Sequence, residues 1–98
     1  MNAQARAEYE AFLRGQIDRT KYSYLGAKTL NDAMVARTSQ HLRSHGAIQR
    51  FAFAGLLAVE GQLMYTYRVT PSTGPDVLEL IAWDGDGKIR RVIFGDAP

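Results

Sequence analysis

Residues 63–94 read LMYTYRVTPSTGPDVLELIAWDGDGKIRRVIF, and this stretch decides the fold. Residues 63–70 alternate between two sets of side chains, which is typical of a β-strand. Residues 71–75 predict a turn, and residues 77–83 and 89–94 predict two further strands. Between these two strands, Asp84-Gly85-Asp86-Gly87 supplies residues that tolerate positive φ, as a tight hairpin requires. Short turns between consecutive strands indicate an antiparallel sheet.

A fourth strand is predicted upstream of this stretch. After Gly46 the pattern changes from helical to alternating, and Phe51 and Phe53 alternate with alanines. Gly55 and Gly61 bracket an apolar segment, residues 56–60, which we interpret as a loop. The predicted sheet therefore has four strands in the order of the chain.

The N-terminal half has helical periodicity. Residues 3–18 predict a first helix, capped by Asn2. Its apolar stripe is formed by Tyr9, Phe12, Leu13 and Ile17. Its charged residues are expected largely on the opposite side: Glu8, Glu10, Arg14 and Asp18.

A second helix is predicted from Leu30 to Ser44, after a connector over residues 19–28. Thr29 followed by Asp32 resembles a capping box, and Gly46 suits the left-handed position that ends a helix. The predicted fold class is therefore α+β, with two N-terminal helices packed on a curved four-stranded antiparallel meander. We expect residues 1–98 to form a single domain with a cavity between helices and sheet.

Composition excludes several classes of function. The net charge is +2 and no run of five like charges occurs, so we expect neither nucleic-acid binding nor a membrane-binding basic patch. The absence of cysteine excludes disulfides and cysteine-ligated metals. No apolar stretch has transmembrane length, and residues 1–5 have no signal-peptide core. The sequence does not decide the cellular compartment. We expect the protein to be periplasmic or secreted if a signal peptide was trimmed, and cytoplasmic otherwise.

Residues 42–55, LRSHGAIQRFAFAG, carry a family resemblance when combined with three later segments. These are MYTYRV at 64–69, LELIAW at 78–83 and DGDGKI at 84–89. In this order and spacing they resemble small NTF2-like (SnoaL-like, cystatin-like superfamily) domains, over about residues 20–95. The resemblance implies a cystatin-like fold, association with bacterial serine β-lactamase-like hydrolases, and no shared catalytic residue. The inhibitory loop pattern of cystatins, Q-x-V-x-G, is not matched at residues 49–53.

His41 and His45 have the spacing of two metal ligands on one helix face. No glutamate follows His41 directly, and no third ligand is evident from sequence. Asp84 and Asp86 lack the glutamate that a calcium loop needs twelve residues along. We therefore predict no metal and no cofactor.

Six residues are candidates for lining a ligand pocket: Tyr9, Phe12, Tyr65, Tyr67, Glu79 and Trp83. Enzymes resembling ketosteroid isomerase use a tyrosine or an acid opposite an acidic base in such a cavity. Glu79 with a tyrosine would fit that scheme. The competing interpretation, which we favour, is that Glu79 pairs with Arg68 or Arg90 on a neighbouring strand.

The sequence thus predicts a non-enzymatic accessory or ligand-binding domain of the NTF2-like kind, with a small apolar ligand. It is expected to be a homodimer through the sheet. The apolar residues assigned to the outer sheet surface are Met64, Leu78, Leu80, Val92 and Phe94. The alternative is a small isomerase, lyase or hydrolase that works in the cavity through Glu79 and a tyrosine.

Overall fold

The computed structural model describes residues 2–98, which form three α-helices, one 3-10 turn and four β-strands. The helices are α1 (Asn2–Arg14), α2 (Tyr24–Lys28) and α3 (Asp32–Ser44), and the 3-10 turn spans Arg19–Lys21. The strands are β1 (Ile48–Val59), β2 (Gln62–Pro71), β3 (Val77–Trp83) and β4 (Ile89–Asp96).

The strands form one antiparallel sheet in the order β1-β2-β3-β4, so the predicted α+β class and meander are confirmed. The predicted hairpin between β3 and β4 is also confirmed. The Asp84 carboxylate accepts hydrogen bonds from the backbone N–H groups of Asp86 and Lys88, both at 3.0 Å. Gly87 then takes a φ of 79°, which a side chain would strain.

β1 is longer than expected, and the predicted loop over residues 56–60 is wrong. Leu56 pairs with Tyr65 inside the β1–β2 ladder, and the chain reverses only at Glu60 and Gly61. Both turn residues have positive φ, 51° and 78°, as a two-residue hairpin requires. Gly55 marks a bulge, because the register shifts between Phe53 and Gly55.

Two boundaries of the first helical region also differ from the prediction. α1 ends at Arg14 rather than at residue 18, because Gly15 follows with a φ of 71°. Asn2 lies within the first turn of α1 and is not its cap. The predicted connector contains α2, whose Ser23 cap accepts a hydrogen bond from the Gly26 N–H at 3.0 Å.

α3 begins at Asp32, and its cap is Asn31 rather than Thr29. The Asn31 side chain accepts from the Met34 N–H at 2.8 Å, whereas the Thr29 hydroxyl donates to the carbonyl of Gly26 at the end of α2. The predicted role of Gly46 is confirmed: it follows the helix with a φ of 82°.

The hydrophobic core lies between the helices and one face of the sheet. Tyr9 and Phe12 of α1 make edge-to-face contacts with Phe94, at ring-centroid distances of 5.8 and 4.9 Å. Phe94 and the buried Val92 therefore face the helices, and their assignment to the outer sheet surface is wrong. Met64 was also expected on an exposed surface but is fully buried. The strand β4 has apolar residues in both phases, so its pattern alone could not decide which set faces the core.

Candidate functional site

Glu79 is the most unusual residue of the core. It lies in the middle of β3 on the same side as Val77 and Ile81, and its exposed fraction is 0%. Neither carboxylate oxygen has a hydrogen-bond partner within residues 2–98. The expected pairing with Arg68 or Arg90 is wrong. Arg68 binds Asp76 instead, with Nε 2.6 Å from Oδ2, and Arg90 is exposed.

Two tyrosine side chains surround Glu79 from different elements. Tyr67 is its direct cross-strand partner on β2, and Tyr9 comes from the buried stripe of α1. Both hydroxyl groups are buried without a partner in the described part of the chain. Burial and then the Glu79 carboxyl raise the pKa of Tyr9 to about 12. The same two causes raise the pKa of Tyr67.

A second acid, Glu8, adjoins this group. Its exposed fraction is 3%, and its carboxylate accepts a hydrogen bond from the Tyr22 hydroxyl at 2.9 Å. Burial, followed by the charge of Glu8, raises the pKa of Tyr22. The prediction that Glu8 lies on the polar side of the helix is wrong. The signal was present, because Glu8 lies three residues after Ala5 and four before Phe12, on one helical stripe.

These five residues, Glu8, Tyr9, Tyr22, Tyr67 and Glu79, form what we call the acid–tyrosine cluster. Burial, and then the nearby Glu8 carboxyl, hold the pKa of Glu79 well above its usual range. Glu79 therefore keeps its proton to higher pH than an exposed glutamic acid. In that state it can donate one hydrogen bond as well as accept others.

The remaining pocket candidates lie outside the cluster. Phe12 is an apolar contact between α1 and β4. Tyr65 and Trp83 are half-buried and form an edge-to-face pair with ring centroids 5.5 Å apart. The structure thus brings Tyr9, Tyr67 and Glu79 together and adds Glu8 and Tyr22.

A cleft of about 530 Å3 opens beside the cluster, between α1 and the β3–β4 turn. We call it the α1–turn cleft. Its lining includes Ala7, Glu8, Lys21, Trp83, Lys88 and Ile89. Glu8 belongs both to the cleft wall and to the cluster, so it connects the open surface with the buried Glu79. Glu79 is not part of the cleft lining, so this cleft reaches Glu79 only through Glu8.

A separate polar group lies where α3 ends. His41 Nε2 and His45 Nε2 lie 2.8 and 3.2 Å from the same oxygen of Asp96, Oδ1. Sequence reasoning found the two histidines but missed Asp96. It is 51 residues beyond His45 in sequence, and only the return of β4 to the end of α3 brings it near.

Comparisons of the chain with models of protein families, with curated proteins and with solved structures give no match. No helix over residues 2–98 has the length and apolar character needed to cross a membrane.

Proposed function

We propose that this chain is a small ligand-binding domain of the NTF2-like kind, which holds a small molecule in the α1–turn cleft against the acid–tyrosine cluster. The ligand has a mainly apolar body and one polar group. The body would lie against Ala7, Trp83 and Ile89, and the polar group would point to Glu8. The cleft has the volume of a small-molecule site and combines apolar walls with polar and charged side chains.

The observation that carries this proposal is the set of buried polar atoms without partners. Both oxygens of Glu79 and the hydroxyls of Tyr9 and Tyr67 belong to it. They lie behind Glu8, the member of the cluster that lines the cleft. A buried polar group without a hydrogen bond costs about 1–3 kcal/mol. A small domain has little stability to spare, so a polar cluster of this kind is expected to serve binding rather than folding.

The chemistry of the cluster favours a ligand that donates a hydrogen bond. The Glu8 carboxylate has one oxygen engaged by Tyr22, and its other oxygen is free to accept. An alcohol, a phenol or an amine meets this requirement. An anionic group would be repelled by Glu8 itself, although Lys21 and Lys88 lie elsewhere in the lining.

Intrinsic fluorescence provides a direct test, because Trp83 is the single tryptophan and lines the cleft. We would titrate the protein with phenol, benzylamine and a wider set of aromatic alcohols and amines. For some of these compounds we expect the fluorescence of Trp83 to change until it saturates. Glu8→Gln should weaken the binding of these compounds. Ala7→Phe, which fills the cleft, should abolish their binding.

Glu10→Gln is the matched control, since Glu10 lies on the same helix, pairs with Arg6 at 4.0 Å and is not part of the cleft lining. It should bind as the wild type does. The proposal is wrong if no compound saturates, or if Ala7→Phe binds the same compounds with unchanged affinity.

One observation favours catalysis as the second candidate function. A buried acid with a raised pKa beside tyrosine hydroxyls is typical of sites that carry out general acid–base catalysis. In that case Glu79 would move a proton on a bound carbonyl compound, as in an isomerase or lyase. The test is solvent deuterium exchange at the carbon next to the carbonyl of a bound ketone, followed by NMR. Exchange that is lost in Glu79→Gln while ketone binding persists would support it; equal exchange in both proteins would exclude it.

A second copy of the chain is the partner that the sheet surface favours. β4 is covered at its first residue, because Tyr22 forms a bridge to Ile89 and the Ser23 N–H donates to the Ile89 carbonyl at 2.9 Å. β1 is the other edge, and within residues 2–98 no strand pairs with its outer side. Two β1 strands related by a two-fold axis would satisfy each other's backbone groups.

Exposed apolar side chains surround this edge and support a homodimer. Phe53, Leu56, Leu57 and Leu63 have exposed fractions of 48, 53, 49 and 59%. We call these four residues the β1–β2 patch. It replaces the surface expected from sequence, of which Met64 and Val92 are buried. Large exposed apolar groups beside an open strand edge are otherwise an aggregation risk, and a partner removes that risk.

A further inference from the structure

The group formed by His41, His45 and Asp96 lies apart from the α1–turn cleft, whose lining includes none of the three. One nitrogen from each imidazole and one carboxylate oxygen all lie within 4.8 Å of one another. The two histidines are one helical turn apart at the end of α3, and Asp96 is the last residue of β4. The imidazole rings have centroids 4.9 Å apart.

The spacing of these atoms is close to that of a metal-binding site. A tetrahedral Zn²⁺ ion binds histidine nitrogen and carboxylate oxygen at about 2.0–2.2 Å, which places neighbouring ligand atoms about 3.3 Å apart. The nitrogen–oxygen distances here are 2.8 Å for His41 and 3.2 Å for His45. One nitrogen from each imidazole lies within 4.8 Å of the other, so closing the site around an ion requires the half-exposed His41 side chain to rotate toward His45.

We propose that His41 Nε2, His45 Nε2 and the Asp96 carboxylate bind a divalent transition-metal ion, with Zn²⁺ as the best match to the ligand set. Imidazole and carboxylate ligands suit Zn²⁺. Three protein ligands leave the fourth position of a tetrahedron for water. The side chains of His41 and Asp96 are 46% and 41% exposed, so water and the ion can reach the site.

The burial of His45 supports this assignment. Its exposed fraction is 5%. Gly74 lies against the ring, and a Cβ at this position would come within 2.8 Å of Nδ1. The ring is therefore held with Nε2 directed to Asp96, which reduces the cost of ordering a metal ligand.

The competing explanation is a hydrogen-bonded group in which both imidazoles donate to Asp96 and no metal binds. The metal site and the hydrogen-bonded group differ in whether the histidine Nε2 atoms carry protons. A metal site needs both Nε2 atoms deprotonated, so the metal ion competes with protons for these two atoms. If the three side chains form only a hydrogen-bonded group, added metal ions should not bind to them.

The test uses the full chain without a histidine tag, freed of metal by a chelator. Zn²⁺ is titrated by calorimetry, and Co²⁺ by the visible absorption of a tetrahedral complex. We expect one ion per chain. His41→Ala and Asp96→Asn should each weaken binding at least about 10-fold, the lower end of the losses seen even when only a hydrogen-bond partner of a metal ligand is changed.

Asp86→Asn is the control, because Asp86 is an exposed carboxylate away from the group. It should bind Zn²⁺ as the wild type does. The two test variants change half-exposed side chains, and circular dichroism verifies that they are folded. The proposal is overturned if the wild type shows no saturable binding, or if His41→Ala and Asp96→Asn bind as tightly as Asp86→Asn.

Discussion

Glu79 on β3 and Tyr67 on β2 are direct cross-strand partners, and the polar ends of both are buried without a hydrogen bond in residues 2–98. Opposed side chains have Cβ atoms about 4.5–5.5 Å apart, close enough for the two groups to interact with each other. Tyr9 of α1 adds a second buried hydroxyl without a partner, and the Glu79 carboxyl is, after burial, a cause of its raised pKa. This arrangement places an acid that resists ionisation at the centre of the helix–sheet interface.

Glu79→Gln should make the domain more stable, and the gain should increase with pH. The folded state raises the pKa of Glu79, so the unfolded chain ionises first, near the ordinary value of about 4.3. Above that pH the wild type loses up to about 1.4 kcal/mol of folding free energy per pH unit relative to the neutral variant. Below it the two proteins should differ by a constant amount.

Urea unfolding of both proteins between about pH 4 and pH 8 measures this difference, since the window begins at the ordinary glutamate pKa. Glu60→Gln serves as control, because Glu60 is exposed in the β1–β2 turn. A stability difference that stays flat across the range would show that Glu79 ionises normally.

Tyr22→Phe should destabilise the domain by about 1–3 kcal/mol, because it leaves the buried Glu8 carboxylate without its hydrogen bond. Tyr24→Phe is the matched control, since Tyr24 is 74% exposed. Thermal and urea unfolding measure both variants. If Tyr22→Phe and Tyr24→Phe lower the free energy of unfolding by the same amount, the Glu8–Tyr22 hydrogen bond does not stabilise the fold.

Gly26→Ala should destabilise the domain by about 1–3 kcal/mol, the usual cost of overpacking. An added Cβ would lie 2.5 Å from the carbonyl oxygen of Ile89, so α2 would have to move away from β4. Gly85→Ala is the control, because nothing lies within 4 Å of a Cβ there. A stabilised Gly26→Ala protein, as helix propensity alone would give, would mean that α2 does not rest on this strand.

Size-exclusion chromatography tests the proposed homodimer, because a dimer has twice the mass of the chain. The wild type should elute at twice the chain mass at micromolar concentration, and Phe53→Lys should convert it to a monomer by placing a charge in the β1–β2 patch. Leu25→Lys, at a residue 72% exposed on α2, should leave the dimer intact. A wild-type monomer in light scattering would remove the dimer proposal.

Much of the sheet was predictable, because its signals are local. Alternation over residues 63–70 and the Asp84–Gly87 turn depend on neighbouring residues only, and both predictions are confirmed. Gly46 likewise marks the end of α3 through its own backbone preference. The segment after Gly55 was misread, because an apolar stretch between two glycines fits a loop as well as a bulged strand.

The candidate sites were predicted less completely. Glu79 was singled out from sequence, but its partner was expected to be an arginine, since charge pairing across strands is the usual solution. Glu8 was placed on the polar face, although the packing of α1 between α3 and the sheet buries it. The pair His41 and His45 was visible in sequence, whereas Asp96 was not.

The sequence by itself determined the α+β class, the strand order and the positions of two hairpin turns, because period and turn chemistry are properties of short segments. Only the tertiary structure decided that Glu79 faces Tyr9 and Tyr67 with no basic partner, and that Asp96 meets the two histidines. These contacts join residues far apart in the chain. They depend on which face of each strand the helices cover, and a strand such as β4, apolar in both phases, does not encode that choice locally.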